Sequence, residues 1–339
     1  MKKHAIALAA LGLVSGVASA QSSVTLYGVV DVALERVKGA TSLTRVTSGQ
    51  QQGSRWGLRG TEDLGGGMKA TFLLESGFNA DVGTLGQGGR LFGRQGYVGL
   101  GGGWGTVRLG RQYTPMDDIA GIIGTKVYDV VSVVPIIGNG DYNRVDNAIT
   151  YVSPTIANTV FQLQYSLGEE RVSTDLSKDF GKQVSAHALY AQGPWTAGLS
   201  LMQVTDADGV VAGKQGKDAL LFVGAYDFGP VKLTGYYDVE DKAVEKLKLL
   251  GVAAAFKVGQ NTVVSVGAAQ AKNVNGSAAA ASDDAKIYTL QATHNLSKRT
   301  ALYGHVTSVS NDAASALGFN SPVAGSSSNG IQVGIRHRF

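Results

Sequence analysis

Arginines that alternate with apolar residues are the side chains of this sequence with the clearest chemical potential. In the segment SRWGLRG, Arg55 and Arg59 have the opposite parity to Trp56 and Leu58. Successive side chains of a β-strand point to opposite faces, so this segment would carry two guanidinium groups on one face and apolar groups on the other. A charge that faces lipid costs about 2–4 kcal/mol near the midplane of a bilayer, so in a membrane barrel both arginines would face the lumen.

Three further arginines occur in similar patterns on segments close by. Arg94 in FGRQGYVGL has the opposite parity to Tyr97. Arg108 alternates with apolar residues in TVRLG, and Arg144 in NRVDNAITY opposes the apolar residues that follow it. A single inward arginine can simply solvate a lumen or pair with a carboxylate. Several on adjacent strands repel one another by about 1 kcal/mol per pair even in a water-like dielectric, so the cluster indicates opposing acids or passing anions.

Acidic residues occur in the long segment 113–143, which lies between these arginine-bearing segments. A segment of that length without a strand pattern is usually functional or disordered, and its many apolar residues disfavour disorder. We therefore expect it to fold into the barrel and narrow a pore. An acidic loop opposite a basic wall would create a transverse field across a water-filled gap. The candidate acids are Asp117, Asp118, Asp129 and Asp141.

Catalytic motifs are not found in the sequence. The histidines are scattered singly, without an HExxH motif or carboxylates at metal-ligand spacing, at His187, His294, His305 and His337. The chain has no cysteine, which excludes thiolate metal sites, cysteine catalysis and a disulfide framework. The sequence predicts no cofactor, no metal and no enzymatic activity. A barrel enzyme with a serine, a histidine and an acid converging at one rim stays as an alternative.

Short segments of period-two alternation must position these residues. The clearest are 23–35, 68–78, 159–166 and 329–339. Tight glycine- or proline-rich breaks between such segments alternate with long polar ones, including 36–53, which is typical of an up-and-down barrel with two unlike ends. The pattern predicts an all-β fold, a 16-stranded antiparallel transmembrane β-barrel, with the segment 113–143 folded inward.

The N-terminal residues predict export. A basic start, an apolar run and the small-residue site Ala18-Ser19-Ala20 indicate a signal peptide over 1–20, followed by one barrel domain over 21–339. Mean hydropathy is +0.03, and no segment past Val17 approaches a transmembrane helix. The formal net charge of +4 falls to +2 when the leader takes Lys2 and Lys3 with it, so no nucleic-acid partner is expected.

Several of these segments together resemble the general diffusion porins of the Gram-negative outer membrane, especially the anion-leaning porins of β-proteobacteria. The resemblance spans the mature chain and is carried by VTLYGVVDVALE, SRWGLRGTEDLGGGMKATFLLESGF, FGRQGYVGLGGGWGTVRLGRQYTP, RVDNAITYVSP and the terminal Phe339. It implies a sixteen-stranded barrel, a homotrimer, surroundings of outer-membrane lipid and lipopolysaccharide, and a third external loop that forms the constriction. It also implies that the outer-membrane assembly machinery reads Phe339.

The resemblance also assigns residues to the pore. Matched motif to motif, Arg55, Arg94 and Arg144 stand at the constriction, with Arg59 as a neighbouring basic residue. The chain departs from enterobacterial relatives in the loop, where VPIIGNG has no acid after Pro135. This departure removes negative charge from the expected eyelet.

The sequence thus predicts an outer-membrane channel for passive diffusion of small hydrophilic solutes and ions, with a preference for small anions. A substrate-specific outer-membrane channel is the nearest alternative, and it would line its path with aromatic residues or a dedicated binding site. A surface-structural barrel that binds partners through its loops ranks lower, because those loops are rich in Ser, Ala, Gly and Asn and offer few aromatic anchors.

Overall fold

The computed structural model describes residues 23–123, 143–167, 182–205, 216–241, 245–274 and 282–339. The predicted signal peptide, most of the predicted loop 113–143, and both Asp129 and Asp141 lie outside these ranges. Within them, no helix is both long enough and apolar enough to cross a membrane.

Eighteen strands and one short α-helix are found in the described ranges, together with two single 3₁₀ turns. The helix is α1 (Pro115–Ala120). The strands are β1 (Ser23–Lys38), β2 (Ser42–Ser48), β3 (Arg55–Gly65), β4 (Met68–Asn79), β5 (Thr84–Leu85), β6 (Gln95–Gly102), β7 (Gly105–Tyr113), β8 (Arg144–Val152), β9 (Thr159–Ser166), β10 (Lys182–Gln192), β11 (Trp195–Thr205), β12 (Gly216–Asp227), β13 (Val231–Asp241), β14 (Lys246–Val258), β15 (Thr262–Lys272), β16 (Ala285–Asn295), β17 (Thr300–Asn311) and β18 (Ser328–Arg338).

The sheet is antiparallel and closes on itself. β1 pairs with β18 on one side and with β2 and β3 on the other. β2 and β3 lie in line along β1 and share one position in the wall, and the two-residue β5 only extends from β4. Sixteen wall positions remain, so the predicted 16-stranded antiparallel barrel is confirmed. Closure pairs every strand on both sides, which a sheet in lipid requires because lipid offers no hydrogen-bond partners.

The alternation of β1 shows why the sequence forms this wall. Leu26 and Leu34 are 60% and 59% exposed on the outer face. Asp31 and Glu35, which have the opposite parity, are 0% and 1% exposed on the inner face. A strand with apolar residues outside and hydrogen-bonded polar residues inside is stable only between lipid and a polar interior.

The two ends of the barrel carry unlike connections. Between β3 and β4 the chain turns through Gly65, Gly66 and Gly67, whose φ angles of 78°, 60° and 79° favour glycine. Other connections at this end have two to six residues, and both chain termini of the barrel lie here, since Gly28 and Phe339 exchange backbone hydrogen bonds of 3.1 Å. Most connections at the opposite end are longer.

One predicted loop contains a strand instead. The segment 36–53 was expected to be a long external connection, and this expectation is wrong. β2 lies within it and pairs with β1, so the first turn at the long-loop end has only three residues. The strand SLTRVTS is mostly polar, so its alternation is too weak to predict a strand from sequence.

Candidate functional site

A buried carboxylate organises the arginines on the inner wall. Glu75 on β4 accepts a hydrogen bond from Arg94 Nε at 2.7 Å, and Arg55 Nε lies 3.4 Å from its other oxygen. The Tyr27 hydroxyl on β1 donates to Glu75 Oε2, the oxygen near Arg55, at 2.8 Å. The Glu75 side chain is only 6% exposed, so these donors replace its lost hydration. One carboxylate thus fixes the positions of two guanidinium groups.

A tyrosine extends this cluster to a third arginine. The Tyr113 hydroxyl, at the end of β7, accepts from Arg144 Nη2 at 2.6 Å and also from Arg94 Nη2. The guanidinium carbons of Arg144 and Arg94 lie 4.3 and 5.8 Å from the centre of the Tyr113 ring. Both cations are therefore within range of the negative face of the ring. Arg55, Arg94 and Arg144, which the sequence predicted together, do lie together.

Arg94 does not reach the lumen through the alternation of β6, so the prediction from parity is wrong for this residue. β6 begins at Gln95, after Arg94, so alternation along β6 does not determine the direction of the Arg94 side chain. Tyr97, which was expected to oppose the arginines, lies on the inner face, where Arg108 stacks on its ring at 5.3 Å. Arg94 enters the lumen because the chain bends before β6, and Glu75 then binds its side chain.

A register shift also separates Arg144 from the rest of β8. The pairing of β7 with β8 shifts between Gly110 and Gln112, and Asn147 has a φ of 53°. A β-bulge of this kind bends the strand and reorients its side chains, so alternation counted from Tyr151 back to Arg144 does not hold.

Arg59 lies apart from the cluster, nearer the short-turn end. Its guanidinium carbon is 5.3 Å from the centre of the Tyr27 ring. It lines a polar niche of about 530 Å³ together with Arg108, Thr71 and Thr106. Tyr27 links Arg59 to the cluster, because it contacts both Arg59 and Glu75.

The described beginning of the segment 113–143 lies inside the barrel. Thr114 caps α1 by accepting from the backbone N–H of Asp117 at 3.2 Å, and Pro115 occupies the first turn. Met116 and Ile119 are fully buried, and α1 packs against the inner faces of β9 to β12. At Gly198 on β11 a Cβ atom would come within 2.7 Å of the Ile119 side chain, so the glycine makes room for the helix.

Two of the four predicted acids, Asp117 and Asp118, lie in the described part of the segment 113–143. Asp117 accepts from Asn143 Nδ2 at 2.6 Å, which ties α1 to the start of β8. Asp118 accepts from Gln162 Nε2 at 3.2 Å. Burial among the surrounding wall atoms raises the pKa of Asp118, an effect that His187, Gln162 and Arg108 partly offset. Asp129 and Asp141 lie outside the described residues.

Sequence reasoning missed the residues that connect the arginines. Alternation gives Glu75 and Tyr27 no role in the pore, and Tyr113 enters only as the first residue of the segment 113–143. The available signal was the inward parity of Glu75, because a carboxylate on an inner wall beside several arginines is favourably placed to pair with them.

His187 contributes to structure at this site. Its Nδ1 lies 3.1 Å from the Pro115 carbonyl oxygen, so it supports the first turn of α1. His305 stacks on Tyr303 with ring centres 4.8 Å apart on a different part of the wall.

Comparisons with known proteins agree with this architecture. A family model described as Gram-negative porin matches residues 7–314. Outer membrane porin protein 32 of Delftia acidovorans is 35% identical, and an outer membrane porin protein of Bordetella pertussis is 31% identical, each over 100% of both chains. The solved structure of an anion-selective porin from Comamonas acidovorans has a TM-score of 0.79 and 30% identity, covering 94% of this chain and 100% of that one.

Proposed function

This chain belongs to the Gram-negative porin family, and we propose that its channel prefers anions and that Arg55, Arg94 and Arg144 set this preference. It is an outer-membrane β-barrel that forms a water-filled channel for passive diffusion of small hydrophilic solutes and ions. Transport through such a channel breaks and makes no covalent bond, so its selectivity depends on pore size and on the electrostatic potential of the wall.

The observation that carries the proposal is the excess of positive charge in the arginine cluster. Arg55 and Arg94 share the single carboxylate of Glu75, and Arg144 is held by the neutral hydroxyl of Tyr113. In a narrow lumen with low-dielectric walls, such an excess raises the local concentration of anions and lowers that of cations. The anion-selective porin of Comamonas acidovorans, which is similar over nearly the whole chain, supports the same sign.

We further propose that the segment 113–143 is the constriction loop. The support is α1, which leaves β7 and lies on the inner wall beside β9 to β12. Met116 and Ile119 anchor it there through apolar contacts that exclude water. The segment would then set the size of the pore, while the arginines set the sign of the ions that pass.

A homotrimeric assembly and recognition of Phe339 by the outer-membrane assembly machinery are also proposed. The Phe339 ring lies on Gly28, where a Cβ atom would come within 2.2 Å of it, and its side chain is 46% exposed. The terminal aromatic is thus presented at the short-turn end of the barrel. We regard the chain as a channel and not an enzyme, because its relatives are porins.

Reversal potentials in planar bilayers under a salt gradient test the proposed selectivity. The wild-type protein should give an anion-selective potential, and replacing Arg55, Arg94 and Arg144 together by Gln should move it toward the cation side. Arg299→Gln, at a short turn outside the lumen, is the control and should leave the potential unchanged. A cation-selective wild type, or an unchanged potential in the triple variant, contradicts the proposal.

The alternative of a substrate-specific channel is tested in the same bilayers. Titration with individual sugars and organic acids should leave the conductance of a general channel without saturable block. Saturable block by one solute would favour the substrate-specific alternative.

A further inference from the structure

The six residues between β2 and β3 leave the barrel wall and enter the lumen. Ser48 pairs with Val32 of β1, and Arg55 pairs with Val29. Only two residues of β1 lie between those partners, whereas the segment 49–54 has six residues to cover the same height. The additional residues cannot all pair with β1 in the sheet. We call the segment 49–54 the inner bulge.

Side-chain hydrogen bonds show that the inner bulge lies against the inside of the wall. Gln51 Nε2 donates to Thr293 Oγ1 on β16 at 2.7 Å. Gln50 accepts through Oε1 from Gln332 Nε2 on β18 at 2.7 Å, and both glutamines are buried. Because β17 and β18 separate β16 from β1, the bulge spans several strands on the lumen side.

Asp31 holds the inner bulge in place. Its carboxylate is fully buried and accepts from the backbone N–H groups of Gln51 at 3.1 Å and Gln52 at 2.7 Å. Its other oxygen accepts from the Tyr303 hydroxyl. Hydrogen bonds to a charged acceptor are about twice as strong as neutral ones, so this carboxylate is well suited to bind a turn of free backbone N–H groups.

The backbone of Asp31 binds both ends of the same segment. Its carbonyl oxygen accepts from the Gly49 N–H at 2.8 Å, and its N–H donates to Ser54 Oγ at 3.1 Å. Ser54 also bonds to β4, since the Phe78 N–H donates to its carbonyl at 3.1 Å. One residue of β1 thus determines where the chain leaves the wall and where it returns.

The inner bulge in turn contacts the arginine cluster. The Gly53 carbonyl accepts from Arg55 Nη1 at 2.9 Å. A Cβ atom on Gly53 would lie 3.0 Å from Arg94 Nη1, so the backbone of the bulge packs directly on that guanidinium. The placement of Arg55 and Arg94 therefore depends on Glu75 from one side and on the inner bulge from the other.

From this geometry we propose that the inner bulge is a second narrowing element of the channel and that Asp31 is its positioning residue. Asp31 touches no passing ion. It acts by holding Gly53 against Arg55 and Arg94, and so maintains the anion preference. This inference rests on the proposed function, because it concerns the same arginines.

The sign of the change in selectivity tests the role of Asp31. Removing a negative charge near the lumen would by simple electrostatics increase anion preference. If Asp31 positions the arginines, Asp31→Asn should instead lower the anion-to-cation permeability ratio by about twofold or more and alter the single-channel conductance. A folded Asp31→Asn variant whose ratio equals or exceeds that of the wild type would overturn the proposal.

Two further variants distinguish a positioning role of Asp31 from the effect of losing its charge and from a failure to fold. Asp238→Asn removes a buried carboxylate from β13, which pairs with β12 and β14 rather than with β1, and it should not lower the ratio. Ser54→Ala removes one anchor of the bulge without changing charge, and it decides the matter if Asp31→Asn does not fold. A lower ratio in Ser54→Ala supports the proposal, and an unchanged ratio contradicts it.

Labelling tests the position of the inner bulge independently of selectivity. The chain has no cysteine, so Gln52→Cys carries a single thiol. A charged methanethiosulfonate reagent should react with it and reduce the current, while the same reagent on Val82→Cys, exposed in an external turn, should not. Absence of current reduction in a labelled Gln52→Cys channel would overturn the second narrowing element, whatever the selectivity of the wild type.

Discussion

Replacing Glu75 by Gln should make the channel more anion-selective. This carboxylate is the partner of Arg55 and Arg94, with contacts of 3.4 and 2.7 Å, so it offsets part of their charge. Gln has nearly the same shape and can still accept a hydrogen bond from Arg94. The substitution therefore changes the charge of the wall by one unit while largely keeping its form.

The size of the effect follows from Coulomb's law. A passing monovalent ion about 5 Å from the carboxylate interacts with it by about 0.8 kcal/mol in water. Screening in 0.1 M salt, where the Debye length is about 10 Å, lowers this to about 0.5 kcal/mol. That energy corresponds to a factor of about 2.3 in the local concentration of each ion. Because the local concentration of anions rises and that of cations falls by this factor, the anion-to-cation permeability ratio should rise about fivefold.

The assay is the reversal potential under a salt gradient, measured at low and high ionic strength. Glu62→Gln, which removes an exposed carboxylate from the short-turn end of β3, is the matched control and should give the wild-type ratio. The effect of Glu75→Gln should diminish at 1 M salt, where the Debye length is about 3 Å. An unchanged or lower ratio in Glu75→Gln at low salt would refute the reasoning, because it would mean that passing ions do not sense this cluster.

Two other substitutions test α1 and its acid. Gly198→Val places side-chain atoms where a Cβ atom would already be 2.7 Å from Ile119. This overpacking should lower the free energy of unfolding of the barrel by about 1–3 kcal/mol, measured as a loss of heat resistance. Gly224→Val, on the lipid face, should not change it. Since the pKa of Asp118 is raised by burial, lowering the pH should neutralise it before ordinary carboxylates, and anion preference should rise in that range. Asp118→Asn should show the higher anion preference already at neutral pH, and its preference should no longer rise as the pH falls. If the rise persists in Asp118→Asn, another group causes it.

The proposed role of the arginine cluster would allow a channel with a small net charge to be selective. Selectivity depends on the charges that line the narrow part of the lumen and not on the whole chain, since charges further than a Debye length from the ion are screened. Glu75 and Tyr113 matter here because they hold three guanidinium groups within a small region. Without these partners, mutual repulsion would disperse the arginine side chains.

The sequence alone was sufficient for the class of fold and for the residue types of the site. Period-two alternation, tight turns and the absence of long apolar runs determine strands, and strands in a membrane must close into a barrel. The same alternation predicted that Arg55 faces inward, and it does so because β3 pairs regularly with β4 from Arg55 to Asp63. The arginines of the site could thus be named before any contact was known.

Only the tertiary structure decided which of these residues meet and what holds them. Parity is a local property, and it is lost wherever the chain bends or a strand bulges, as at Arg94 and at the register shift that follows Arg144. Ring closure places β1 beside β18, which brings Asp31 to Tyr303, 272 residues later in the chain. Such long-range contacts determine the position of the segment 49–54, which alternation along any single strand does not encode.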